Sequence, residues 1–225
     1  MPCCVRVTVV SSAGPAALTV ATLLGLVVGV VVNRLAGRFP WNGDDRRRTA
    51  VQLPFVEVGT AALFALTTLR FGPSWELPAF LFIAAVGVLL AVIDLRHKTL
   101  PNRVTLPAIG VGAVLLAVAA AGTGEWPSLR RAALSAVVLF VVFFVLVMIS
   151  PRSIGMGDAK LAALLGLHLG WLGTPVLVLG VLAGFVVQAV LALVLLATRR
   201  IGLRGELPFG PAMLLGAGLA IALLS

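Results

Sequence analysis

Three of the chain's eight acidic residues, Glu57, Asp94 and Asp158, stand in or at the edge of long apolar runs, whereas Asp44, Asp45, Glu76, Glu125 and Glu206 fall in the connections. A carboxylate in a connection costs little. One inside an apolar span is expensive and as a rule faces a polar interior or a water-filled cavity, which makes each of the three a candidate functional group. Asp94 follows LLAVI and Asp158 follows IGMG, 64 residues later. Two carboxyls brought together cannot both ionise cheaply. One holds a proton while the other takes one from water, the arrangement used by aspartic proteases, so the pair has the chemistry to cut a peptide bond. The helix dipole disfavours an anion at a C-terminus, where Asp94 is expected, and favours one at an N-terminus, where Asp158 is expected; the resting proton is therefore assigned to Asp94. Asp158 also has a purely structural alternative as an N-cap after a glycine turn. Gly155 and Gly157 are expected to take positive φ and to let another chain approach closely. Lys160 does not share a helix face with Asp158, so it is expected to be an interface anchor rather than its ion-pair partner.

These acids need elements to carry them. The 225 residues are 60% hydrophobic and 11% charged, without tyrosine, and the mean hydropathy of +1.14 is far above that of soluble domains. About 18 or more apolar residues can cross a bilayer as a helix, and such runs occupy 15–32, 51–69, 78–95, 104–121, 132–149, 158–173, 175–197 and 208–224. The expectation is an all-α membrane protein: one domain over 1–225, a polytopic bundle of about eight transmembrane helices. The first run is read as a retained span rather than a signal peptide. The longest connection, 33–50, leaves no room for a soluble domain.

Charge placement orients this bundle. Of the 17 basic residues, thirteen fall in 34–50, 96–103, 150–160 and 198–207, against four (Arg6, Arg70, Arg130, Arg131) in the alternate set. The positive-inside rule puts the first set in the cytoplasm, with both termini outside and all three buried acids at the cytoplasmic side. The net charge of +9 thus reports topology in a lipid bilayer rather than a nucleic-acid partner. Cys3 and Cys4 alone cannot make a four-thiolate zinc site or a disulfide framework. His97 is expected to be solvated and His168 to serve helix packing or the interface, without metal-ligand company. Trp41, Trp75, Trp126 and Trp171 read as interfacial anchors, and Gly180 and Gly184 as a small-xxx-small contact between helices.

The segments VIDLRHKTLPN (92–102) and GMGDAKL (155–161) resemble the two catalytic signatures of the bacterial type IV prepilin peptidases, the GxGD membrane aspartic proteases. GVVVNRLAGRFP (29–40), with Asn33, Arg38 and Pro40 in register, FVEVGTAALF (55–64) and LPFGP (207–211) are similar to further segments of that family, in the same order. The resemblance implies an enzyme that removes the short basic leader of prepilins or pseudopilins at the cytoplasmic face, cutting after a glycine with two aspartates and water and no metal. Asp94 and Asp158 take the catalytic positions; Gly155, Gly157 and Lys160 belong to the second motif, and Pro101 and Asn102 end the loop that positions Asp94. Longer members carry a cytoplasmic insertion with two Cys-x-x-Cys pairs and methylate the new N-terminus with S-adenosylmethionine. Here WNGDDRRRTAVQLP (41–54) stands in that place, while Asn33 and Glu57, flanking it, keep methyl transfer in view beside a structural role for Glu57 paired with an arginine. The rivals are a small transporter, which should hold its acids near the bilayer midplane, and a noncatalytic assembly protein, which should have lost one aspartate. A serine or cysteine protease lacks a base beside Ser153, Cys3 or Cys4.

Overall fold

A computed structural model describes residues 14–39, 50–51, 54–150, 155–198 and 208–224. Cys3, Cys4, Arg6, Pro40, Trp41, Asp44, Asp45, Ser153 and Glu206 lie outside them, as do most basic residues of the 34–50 and 198–207 connections. The described residues form eight helices and no strand: α1 (Pro15–Gly37), α2 (Phe55–Phe71), α3 (Leu77–His97), α4 (Asn102–Thr123), α5 (Trp126–Ile149), α6 (Met156–Leu172), α7 (Thr174–Ala197) and α8 (Gly210–Leu224). Each coincides with one apolar run, and the ends differ from the sequence expectation. α1 continues to Gly37, so Asn33 is helical rather than the start of a 33–50 loop, and α5 begins at Trp126, so Arg130 and Arg131 are on a helix. α1, α3, α5 and α7 each open with a proline in the first two positions, where its missing N–H has no helical partner to lose.

Five helices, α1, α3, α4, α5 and α7, are long and apolar enough to cross a membrane; the chain is a multi-pass helical membrane protein. α2 and α6 have 17 residues each and α8 has 15. α6 is the centre of the bundle. Twelve of its residues are buried, and it touches α3, α4, α5, α7 and α8, as expected of a helix that is apolar all round. Trp171 belongs to this buried core at 3% exposure. It is not an interfacial anchor, whereas Trp75 and Trp126 are exposed.

Cross-contacts fix the direction of each helix. The ends of α1 and α3 and the starts of α2, α4, α6 and α8 gather at one end of the bundle, through Asn33 on Glu57, Lys160 on Asn102 and Gly210 on Asp94. At the far end Arg131 of α5 donates to the carbonyls of Gly170 and Trp171, closing α6. Glycine makes the tightest pairings possible. On α8, a side chain at Gly216 would run into the backbone of Gly184 and Gly180, so the expected contact of Gly180 and Gly184 is with α8. Helices in lipid gain little from hydrophobic burial between them and depend on such close backbone approach. Gly216→Val is expected to destabilise the protein by about 1–3 kcal/mol through overpacking, read as a lower thermal midpoint in detergent. Gly218→Ala, facing open space on the same helix, should leave the midpoint unchanged or raise it.

Candidate active site

Asp94 sits in the last turn of α3 at 4% exposure. Its backbone carbonyl accepts the N–H of Lys98 at 2.8 Å, and Lys98, φ 50°, ends the helix in the left-handed conformation, which is uncommon outside glycine. The chain then passes Leu100 to Pro101, the N-cap of α4, and Asn102, its first residue. This short link is held by α6. Gly157 faces Leu100 so closely that a Cβ there would lie 2.7 Å from the leucine Cβ, and Lys160 Nζ donates to Asn102 Oδ1 at 2.6 Å. Lys160 is therefore a stitch between α6 and α4 rather than an interface anchor. The two motifs, distant in sequence, are bolted together beside their aspartates.

Asp158 is the third residue of α6, not its N-cap. The N-cap is Gly155, whose N–H donates to Asp158 Oδ2 at 2.9 Å, the acidic half of a capping box. The capping role is thus real, and it leaves one carboxylate oxygen outside that bond. Gly155 has φ −87° and Gly157 lies within the helix; neither takes positive φ. The close approach at Gly157 is to the chain's own Leu100.

The residue that sequence reasoning missed is Gly210, in the quoted segment LPFGP. Its N–H donates to Asp94 Oδ2 at 3.1 Å. A Cβ on Gly210 would lie 2.7 Å from that oxygen and 3.5 Å from Leu161 Cδ2, one turn beyond Asp158. Gly210, at the start of α8, therefore lies against both the Asp94 carboxyl and the first turns of α6. Each aspartate accepts one backbone N–H, so the hydrogen bonds do not tell the two acids apart. The assignment of the resting proton to Asp94 stands on the helix ends alone.

Asn33 and Glu57 lie at the same end on α1 and α2. Asn33 is fully buried and makes every hydrogen bond its amide allows: Nδ2 donates to Val51 O and Glu57 Oε1, and Oδ1 accepts the N–H groups of Ala50 and Val51. The partner of Glu57 is thus Asn33 and not an arginine among the described residues. Glu57 Oε2 is buried and has no hydrogen-bond partner among the described residues. His168 is buried at 1% exposure, with Nδ1 2.9 Å from Leu164 O and its ring on the edge of Phe80; it is a packing group, as expected, and not an interfacial one. Among the described residues no His, Cys, Asp or Glu group is arranged to hold a metal ion.

An all-helical membrane bundle that joins the segment of an aspartate at one helix end to a second aspartate in a Gly-Met-Gly-Asp helix start defines a membrane protein of the GxGD class. The profile of the type IV leader peptidase family matches residues 79–197, from α3 through α7, and the chain belongs to that family. It is 31% identical over 181 residues to the prepilin leader peptidase/N-methyltransferase of Pseudomonas putida, covering 78% of this chain and 60% of the relative. Proteins of the same name from Stutzerimonas stutzeri, 31% identical over 75% of this chain and 57% of the relative, and Burkholderia pseudomallei strain 1026b, 32% over 76% and 54%, are similar too. The chain spans roughly three fifths of the length of these curated relatives. No solved structure matches it significantly.

The contact at Gly157 separates the two motif glycines. Gly157→Ala should cost about 1–3 kcal/mol, because the Leu100 Cβ cannot swing aside, while Gly155→Ala, with ordinary φ and its nearest neighbour at 3.6 Å, should stay within about 0.5 kcal/mol. Chemical denaturation of both variants in micelles measures the difference.

Proposed function

We propose that the chain is an aspartic endopeptidase that removes the leader of type IV prepilins or pseudopilins at the cytoplasmic face of the bacterial cell membrane, with all eight helices crossing the bilayer. The observation that carries this reading is the joining of the two aspartate-bearing motifs, Lys160 on Asn102 and Gly157 against Leu100, with the Gly210 N–H held by Asp94 at the same end. Paired carboxyls at one end of the bundle suit hydrolysis at the membrane surface better than transport through its middle.

The chemistry follows from sharing one proton. The ionised carboxyl takes a proton from a water molecule, whose oxygen attacks the carbonyl carbon after the leader's glycine. The protonated carboxyl gives its hydrogen to the carbonyl oxygen. Collapse of the tetrahedral intermediate breaks the C–N bond: the departing amine takes a proton from the carboxyl that first accepted one, and a hydroxyl of the intermediate returns its proton to the other carboxyl, which restores the pair. Gly210 and Gly155 donate to the Oδ2 atoms and so orient the remaining oxygens toward the water.

The name of the relatives adds N-methylation, for which S-adenosylmethionine would be the donor. Asn33 does not suit that donor. Its amide is spent on Ala50, Val51 and Glu57, and its role here is to clip the end of the connection to α1. Glu57 Oε2, buried and without a hydrogen-bond partner among the described residues, is the one feature of the pair compatible with a cationic ligand.

Purified protein should cut a prepilin with a Gly-Phe junction, with the cut mapped by mass spectrometry. Asp94→Asn and Asp158→Asn, which keep size but cannot exchange the proton, should each lower the rate by at least ~10²-fold. Gly210→Ala should fall with them, because its methyl group enters the space of Asp94 Oδ2. Unchanged cleavage by both asparagine variants would refute the two-aspartate mechanism.

A further inference from the structure

At the end of the bundle away from the aspartates, α5 and α7 scarcely touch. α5 is drawn onto α6, where Gly166 and Gly170 meet Ser135, while α7 is drawn onto α8 through Gly180 and Gly184. Between them a cleft of about 520 Å³ opens to the outside, lined chiefly by Arg130, Leu134, Ser135, Val138, Thr174 and Leu177. Its polarity is graded. Arg131 turns inward and is consumed by the carbonyls that end α6, but Arg130 is exposed and has no hydrogen bond or ion pair with any described residue. Trp126, 53% exposed one turn earlier, marks the depth of the membrane interface. Toward the bilayer centre the cleft wall is aliphatic: Leu134 and Val138 are 67% and 54% exposed.

We propose that this cleft binds one membrane phospholipid, its phosphate on Arg130 and one acyl chain laid along Leu134, Val138 and Leu177. An unpaired cation at headgroup depth above an apolar trough matches a lipid in both charge and length. An apolar helix laid there would leave Arg130 facing no anion. The volume falls within the range of about 300–1,000 Å³ typical of ligand pockets.

Native mass spectrometry of the full chain, released from micelles titrated with phosphatidylglycerol or phosphatidylcholine, reads the occupancy. One phosphatidylglycerol should be retained in preference to phosphatidylcholine. Arg130→Gln should weaken its binding about five-fold, the equivalent of about 1 kcal/mol for a basic residue at an anionic surface. Leu134→Trp, which fills the trough from an exposed position, should abolish retention. Arg70→Gln removes the same charge at the same end but away from the cleft and should change nothing. Equal losses from Arg70→Gln and Arg130→Gln, or full retention by Leu134→Trp, would overturn the site. Displacement by inorganic phosphate alone would overturn the lipid as its occupant, as would displacement by an apolar helical peptide.

Discussion

A carboxyl buried among membrane helices is tolerable only where a polar group meets it, and Asp94 meets the first backbone N–H of α8. That single bond ties the last helix of the chain to the end of the third. It requires glycine at 210, since any side chain would take the place of the carboxyl oxygen. It also requires α8 to stand close to α3 and α6, a position supported by the glycine contacts of α8 with α7 and by Leu214 against Gly87 of α3.

The same device recurs through the bundle. α1 with α2, α5 with α6 and α7 with α8 are the most closely packed pairs, and in each a glycine of one helix lies against the main chain of the other. Gly29 meets the Glu57 Cα, Gly166 the Ser135 carbonyl, and Gly216 the Gly184 backbone. All three tight hairpins thus reach α3, and the α5–α6 hairpin packs on α4 as well. The site is assembled where they meet, by Gly157 on Leu100, Lys160 on Asn102 and Gly210 on Asp94. Precision at the aspartates is borrowed from backbone contacts that leave little freedom to shift.

Much of this was legible in the sequence because the membrane makes apolar runs unambiguous: all eight helices lie where the runs are. The two aspartates stood out because charge is so rare in the chain. What was not legible depends on contacts between distant segments. The partner of Lys160 is an asparagine 58 residues away, and the tight fit of Gly157 is against a leucine of another motif. Neither leaves a local periodic mark. Trp171 was misjudged because proximity to a span end does not reveal which way a side chain faces, and α6 is enclosed on all sides. The N-cap was displaced from Asp158 to Gly155 because a capping box and a simple cap share the same residue types. Gly210 carried a signal in LPFGP, but only the fold says which acid it serves.

The proposed mechanism requires Asp94 and Asp158 to face each other at one end of the bundle. It is tested most directly by cross-linking in native membranes, with Cys3 and Cys4 replaced by serine and cysteines placed by D94C and D158C. A short bifunctional thiol reagent should join the two within one chain, detected as a linked peptide pair by mass spectrometry, whereas D94C combined with T174C, at opposite ends of the bundle, should give no link. Absence of the first link, with both thiols shown to be reactive, would contradict the account.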